Sequence, residues 1–195
     1  MPDLYVIYLH GFLSSPQSDK AQQAIRYCRD MGMSDRIEVP ALHPGPSRAA
    51  AQVQGLIDRR QPDHHVALIG SSLGGFLATC LAQRNGLRAA LINPAVHPQE
   101  YWHNYFGEHR NYHTGQVHQV TEQDVLDLAD LDPPVLSRPE NFLLLVQTGD
   151  EVLDYRRAVA RYRGATQVVQ QGGDHSFRNF PELLPMVFDF LAIQN

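Results

Sequence analysis

The stretch Val66-Ala67-Leu68-Ile69-Gly70-Ser71-Ser72-Leu73-Gly74 joins two kinds of periodicity. Val66 to Ile69 is an unbroken apolar run of the length of a buried strand. From Leu73 onward, Phe76, Leu77, Cys80 and Leu81 recur at helical spacing. Ser72 therefore sits where a strand turns sharply into a helix. A G-x-S-x-G pentapeptide in that context is a nucleophile elbow, which lifts a serine hydroxyl off the sheet edge and leaves room for a base to take its proton. Gly70 and Gly74 keep Cβ atoms out of the crowded turn. The pentapeptide alone says little, because roughly one random chain of this length in twenty contains it. The alternative is a Gly/Ser-rich loop, and the flanking strand and helix argue against it.

Outward from this point, strand and helix patterns alternate. Leu4–Leu9 is a continuous apolar strand, followed by Ala21, Ala24, Ile25 and Cys28 at helical spacing with a stop at Gly32. Residues 36–39 form a short strand candidate. Pro46–Arg60 reads as a helix with proline in its first turn and Pro62 beyond its end. The helix after the elbow, 73–83, ends at Asn85-Gly86. Further strands are predicted at 89–92, 142–146 and 166–169. Further helices are predicted at 155–162 and 184–191, the last with a start near Pro181 or Pro185. Unbroken apolar strands alternating with helices imply a parallel sheet covered on both faces. The expected fold is a three-layer α/β arrangement in one domain over residues 1–195, with a reduced, mostly parallel sheet of six strands.

Residues 97–139 interrupt the alternation. No clear strand is visible there. The segment holds His97, His103, His109, His113 and His118, together with Tyr101, Trp102, Tyr105, Phe106 and Tyr112. A short helix is predicted to carry the pairs Tyr101–Tyr105 and Trp102–Phe106 at i,i+4. A second follows Thr121, where Thr121-x-x-Asp124 resembles a capping box and Val125, Leu128 and Ala129 form a stripe. A segment this long inside a compact α/β domain is usually a functional insertion. The expectation is a helical cap over the ligand-binding edge of the sheet; the alternative is a packing extension that touches no substrate.

Composition narrows the function classes. A net charge of −5 without any block of like charge points away from nucleic acid and from anionic membrane surfaces. No apolar run reaches transmembrane length. Met1-Pro2-Asp3-Leu4 lacks a basic n-region and a cleavage site, so a cytoplasmic location is the default expectation. Cys28 and Cys80 fall in helical apolar stripes and read as buried thiols, not a disulfide. The cap histidines are irregularly spaced and no Cys pair accompanies them, so no metal is expected. No Walker loop and no G-x-G-x-x-G occurs, which leaves nucleotide binding unsupported. No cofactor is expected.

Three chemically capable residues fall at, or just beyond, the predicted C-terminal ends of strands, the edge where open parallel sheets bind ligands. Ser72 follows the third strand and Asp150 the fifth. His175, in Gly172-Gly173-Asp174-His175-Ser176-Phe177, follows the sixth. Ser, Asp, His is the chain order of an α/β-hydrolase triad. In such a triad His175 takes the Ser72 proton and returns it to the leaving group, while Asp150 fixes the imidazole tautomer and stabilises the imidazolium. A free imidazole titrates near 6.5, so a neutral base at neutral pH needs little tuning. Ser71 competes with Ser72 but occupies an x position of the elbow. Glu151 and Asp154 compete with Asp150; Asp154 looks more like a helix N-cap. His175 stands out from the other histidines by its glycine-rich loop. An oxyanion hole needs two backbone N–H donors. Leu73 supplies one at a helix start, and Phe12 the other from the loop His10-Gly11-Phe12-Leu13-Ser14-Ser15, with Leu13 as fallback. His10 is expected to hold that loop. Leu13, Tyr101, Trp102 and Tyr105 are the candidate substrate contacts.

Taken together, five segments resemble the YqiA-type esterases, small bacterial α/β-hydrolases also catalogued as an uncharacterised protein family. They are His10-Gly11-Phe12-Leu13-Ser14-Ser15-Pro16, Gly70-Ser71-Ser72-Leu73-Gly74-Gly75, Asn93-Pro94-Ala95-Val96, Gln147-Thr148-Gly149-Asp150-Glu151-Val152-Leu153-Asp154-Tyr155 and Gly172-Gly173-Asp174-His175-Ser176-Phe177. Thr114-Gly115-Gln116 in the insertion fits as well, and the resemblance spans nearly the whole chain. It implies an α/β-hydrolase fold without the first two strands of larger relatives. It also implies hydrolysis of carboxylic esters with short acyl chains, or of thioesters, with the nucleophile on Ser72, the acid on Asp150 and the base on His175. The expected partner is a small-molecule ester or thioester, with no nucleic acid and no membrane, and the expected assembly is a monomer or homodimer. Two alternatives stay open. An acyl-CoA thioesterase would use the same nucleophile; Arg110 is the single basic residue between His97 and Gln123, which leans towards uncharged esters. A non-catalytic binding protein could keep the same scaffold, against which the intact Ser, Asp and His argue.

Overall fold

This computed structural model describes residues 3–111 and 113–193; Met1, Pro2, the cap aromatic Tyr112, Gln194 and Asn195 lie outside them. Among the described residues eight strands form in chain order: β1 (Leu4–Leu9), β2 (Ile37–Glu38), β3 (His65–Ser71), β4 (Arg88–Ile92), β5 (Gly107–Arg110), β6 (Val117–Val120), β7 (Phe142–Gln147) and β8 (Thr166–Gln170). Six of them build one sheet in the order β2-β1-β3-β4-β7-β8. Every neighbouring pair in it is parallel, with Val6 opposite Ile37, Tyr8 opposite Ile69 and Leu91 opposite Leu144.

The helices are α1 (Asp19–Asp30), α2 (Pro46–Arg60), α3 (Leu73–Asn85), α4 (Glu122–Leu131), α5 (Tyr155–Arg161) and α6 (Phe180–Leu191). They make two outer layers. Leu4, Val6 and Tyr8 of β1 pack with Ala21 and Cys28 of α1 and Leu184 and Phe188 of α6. Tyr5, Ile7 and Leu9, one pleat away, pack on the opposite face with α2, α3 and α5. A strand buried on both faces has no polar side to show, which is why β1, β3 and β7 read as uninterrupted apolar runs.

Local chemistry sets the boundaries. Pro46 starts α2, Gly86 ends α3 in the left-handed region at φ 69°, and Asp154 caps α5 by accepting the Arg156 N–H. Thr121 and Asp124 form the expected capping box on α4. Phe180 begins α6, so Pro181 lies in its first turn and Pro185 inside the helix. Both thiols are buried and free. Among the described residues no helix is long and apolar enough to cross a membrane.

The insertion departs from its sequence-based picture. The helix expected around Tyr101–Phe106 is replaced by two 3₁₀ turns, Pro98–Glu100 and Trp102–Tyr105, and Phe106 lies beyond them, half exposed. Where no strand was expected, β5 and β6 pair antiparallel, with His109 opposite His118. The hairpin has no apolar alternation to betray it, because it is held by backbone pairing and most of its side chains face away from the core. Its turn chemistry is visible: the Asn111 Oδ1 accepts the N–H groups of His113 and Thr114, and Gly115 takes φ 71°.

Candidate active site

Ser72 occupies a backbone conformation that L-residues rarely adopt, φ 56° and ψ −123°, between the end of β3 and the start of α3. Such strain costs about 1–3 kcal/mol and survives only where the surroundings enforce it. The two flanking glycines are part of that enforcement. A Cβ on Gly70 would lie 2.3 Å from the Gly74 carbonyl oxygen, and one on Gly74 only 2.1 Å from the Leu9 carbonyl oxygen. Helix and strand thus touch backbone to backbone. The Ser72 N–H donates to Ile92 O at 3.1 Å, and its carbonyl accepts from Ala95. Ser71, the competing hydroxyl, is the buried last residue of β3.

The three residues separated in sequence meet at this corner. His175 Nε2 lies 3.1 Å from Ser72 Oγ. Its Nδ1 lies 2.8 Å from Asp150 Oδ2 and 3.0 Å from Oδ1. The Asp150 Oδ1 also accepts the Val152 and Leu153 N–H groups, at 2.9 and 2.8 Å. Burial is the largest influence on this carboxyl and works to raise it. The His175 hydrogen bond, the Leu153 amide, the charge of His175 and the Val152 amide together outweigh burial and hold Asp150 below the usual carboxylate range. The rivals have other tasks: Glu151 accepts the His175 backbone N–H at 3.0 Å, and Asp154 caps α5.

The loop after β1 lies against the serine. A Cβ on Gly11 would stand 3.3 Å from the Ser72 Cβ and 3.7 Å from its Oγ. His10 is buried, and burial pushes its imidazole below the ordinary value, keeping it neutral. Its Nε2 accepts the Leu42 N–H at 3.2 Å, so the proton sits on Nδ1 and donates to the Gly11 carbonyl at 3.0 Å. Ser14 N–H donates to the same carbonyl. In a trans peptide the C=O and the following N–H point to opposite sides, so both contacts turn the Phe12 N–H away from themselves. Neither the Phe12 nor the Leu73 N–H has a protein acceptor among the described residues.

Two recesses flank the corner. A pocket of about 40 Å³ is walled by Phe12, Leu13, Leu73, Leu77 and His118. A wider one, about 330 Å³, is walled by Tyr101, Tyr105, Val152, Leu153 and Arg157. Of the expected substrate contacts, Leu13, Tyr101 and Tyr105 line a recess. Trp102 does not: it is 4% exposed and packs against the edge of Phe12, with ring centroids 4.9 Å apart. The aromatic pattern that made it a candidate is here a hydrophobic wall. His118 is fixed from behind by Asp124, at 3.3 Å. Between described residues the hairpin meets the β1 loop through the hydrogen bond from Asn111 Nδ2 to Ser14 O at 2.7 Å and through ring contacts of Phe12 with His109 and His118. Among the described residues, no three His, Cys, Asp or Glu side chains converge in a way that suits a metal.

Residues 5–192 match the uncharacterised protein family UPF0227. The chain belongs to that family, the YqiA esterases. A UPF0227 protein of Shewanella sediminis (strain HAW-EB3) is 28% identical over 103 residues, 49% of this chain; the match spans about half, 53%, of that curated relative. The structure is similar to that of alpha/beta hydrolase domain-containing protein 10 from mouse, with TM-score 0.73 and 17% identity over 94% of this chain and 87% of that one. It is also similar to Est1E from Butyrivibrio proteoclasticus, with TM-score 0.71 and 15% identity over 96% and 86% of the two chains. The esterase domain of a Rhodothermus marinus protein gives 0.64 and 17% over 94% and 82%. At such identities the likeness is one of fold, and that fold is the α/β hydrolase.

Two residues to which the sequence reading gave no role hold the histidine loop of this UPF0227 chain. Asn93, at φ 40° after β4, donates Nδ2 to the carbonyls of Asp174 and His175 at 3.1 and 3.3 Å. Its Oδ1 accepts the Gln147 N–H at 3.1 Å. Gln147 in turn accepts the N–H groups of Asp174 and Arg178 on its Oε1. In the sequence Asn93 appears only within a segment that carries the family resemblance, with nothing to tie it to residue 175. Its one usable signal is that an asparagine tolerates the left-handed region where a strand end must bend.

Proposed function

We propose that this protein is a serine hydrolase that cleaves carboxylic esters of short acyl chains through an acyl-enzyme on Ser72. The observation that carries the reading is the continuous run of hydrogen-bond distances from Asp150 through His175 to Ser72 Oγ. In this mechanism Ser72 Oγ attacks the ester carbonyl carbon as its proton passes to His175 Nε2. The oxygen of the tetrahedral intermediate takes the negative charge and is met by the Phe12 and Leu73 N–H groups, each donor of this kind contributing about 3 kcal/mol. The C–O bond then breaks, and His175 returns the proton to the departing alcohol. Water, deprotonated by the same imidazole, releases the acid and restores Ser72.

The narrow pocket behind Phe12 and Leu73 supports a short acyl group, and the wider recess by Tyr101 and Leu153 suits the alcohol portion. Arg157, which reaches that recess from α5, is paired with Glu100. This supports an uncharged alcohol over a phosphate-bearing thiol. The test is hydrolysis of p-nitrophenyl esters from acetate to octanoate, alongside fluorophosphonate labelling. Turnover should peak at the short end, and Ser72→Ala should remove both turnover and label while leaving the fold intact. An Ser72→Ala variant that keeps most of its activity would overturn the mechanism, and a wild-type protein that takes no label would favour a binding role.

A further inference from the structure

We propose that Lys20, the only lysine in the chain, is a positioning residue that holds His175 against Ser72 from α1. The proposal rests on the hydrolase reading above. Lys20 Nζ donates to the carbonyl of Ser176, the residue after His175, at 2.9 Å. That bond joins the first helix to the last loop, across 156 positions of sequence.

The loop needs such holding. Gly172 and Gly173 both take φ 76°, Phe177 takes φ 60°, and the segment between them lies outside any strand or helix, closed by one turn bond from Phe177 N–H to Asp174 O at 3.0 Å. Each carbonyl in the critical part is instead met by a side chain from elsewhere. Asn93 takes those of Asp174 and His175, and Lys20 takes that of Ser176. Removing Lys20 leaves the Ser176–Phe177 peptide anchored through its N–H bond to Asp174 O at 3.0 Å, and a tilt about that remaining bond moves Nε2 relative to Ser72 Oγ.

Charge makes a lysine suitable here. Asp19 on its own helix, Asp174 in the loop and Asp150 beyond it all bear on the ammonium. Burial is the larger influence and pushes the ammonium below its ordinary value, while the three carboxylates pull it up. Asp174 is shared with Arg178, and Glu151 is engaged by the His175 N–H. A compact ammonium with three donors fits a single carbonyl among carboxylates better than a planar guanidinium does.

The experiment uses the buried state of the two native thiols. Lys20→Cys introduces one accessible thiol, which bromoethylamine converts into a lysine-like side chain and iodoacetamide into a neutral one. With p-nitrophenyl acetate, Lys20→Cys should lose roughly tenfold in kcat, with KM changed by less than about twofold. Aminoethylation should restore most of the loss, and the neutral adduct should restore none. Lys20→Met gives the same kinetic comparison if Lys20→Cys does not fold. Unchanged kcat in either variant, or equal recovery with the neutral adduct, would overturn the proposal. A fall in thermal stability alone, with kcat intact, would reduce Lys20 to a structural tie. If the wild-type protein hydrolyses no ester, the hydrolase reading fails by itself. Lys20 is then read from the ring NMR signals of His175, which should shift in Lys20→Cys and return on aminoethylation.

Discussion

Replacing Asn93 with Asp alters a single functional group beneath the histidine loop. The Oδ1 acceptor for the Gln147 N–H is kept, and the Nδ2 donor to two carbonyls is lost. The two bonds are long, 3.1 and 3.3 Å, so each is given about 1 kcal/mol. The replacing oxygen faces the same carbonyls at a site only 2% exposed, which adds about 1 kcal/mol more. The total, about 3 kcal/mol, corresponds to a fall in Tm of about 6–12 °C for a protein of this size. Thermal unfolding at pH 7.5 measures it, and ester turnover measured on the folded variant should drop with it as the imidazole loses its seat. Lowering the pH towards 5 should return part of the stability, because a buried carboxyl that takes up a proton becomes a donor again. A Tm within about 1 °C of wild type, with turnover unchanged, would refute the claim that Asn93 holds the loop.

Gly74→Ala should cripple the elbow. Its Cβ would meet the carbonyl oxygens of Leu9 and His10 at 2.1 and 2.5 Å, both backbone atoms leading into the Phe12 loop. Loss of about 1–3 kcal/mol in urea unfolding and of at least about a hundredfold in turnover is expected, and a fully active variant would contradict the packing argument. Asp150 is held below the ordinary carboxylate range in the folded protein, so its ionisation stabilises the fold above the unfolded-state value near 4 and that stabilisation drains away as pH falls through the folded value. The stability gap between wild type and Asp150→Asn should therefore narrow below about pH 4; a gap constant from pH 7 to pH 3 would contradict the linkage. Cys28 and Cys80 are buried, and burial pushes the Cys28 thiol up to about 12. Both should resist a disulfide reagent in the native protein and react at once in denaturant, so rapid labelling without denaturant would count against the packed helices around them.

The parts of this molecule legible in sequence are those where one local rule acts alone. Leu4–Leu9 and Phe142 to Val146 announce buried strands because both of their faces are covered. Pro46, Gly86 and the Thr121–Asp124 pair mark helix ends through their own backbone demands. That Ser72, Asp150 and His175 come together was legible because each follows a strand, and a parallel sheet delivers all such ends to one edge. The β5–β6 hairpin escaped because its residues show no apolar alternation, Val120 alone among them reaching the core. Trp102, expected at a pocket, packs in the core against Phe12; an aromatic lining a core and one lining a pocket look the same in one dimension. Asn93, Gln147 and Lys20 escaped for a different reason: each acts on a loop tens of positions away, and no local pattern records a partner at that distance.

The hydrogen bond from the Asn111 side chain to the Ser14 carbonyl has a mechanical consequence. It gears the hairpin to the segment that presents the Phe12 N–H. An outward displacement of β5–β6 would therefore be felt at Ser14, two positions from Phe12. Exchanging this hairpin for a foreign one would need to keep that amide, or the segment carrying Phe12 would lose the anchor.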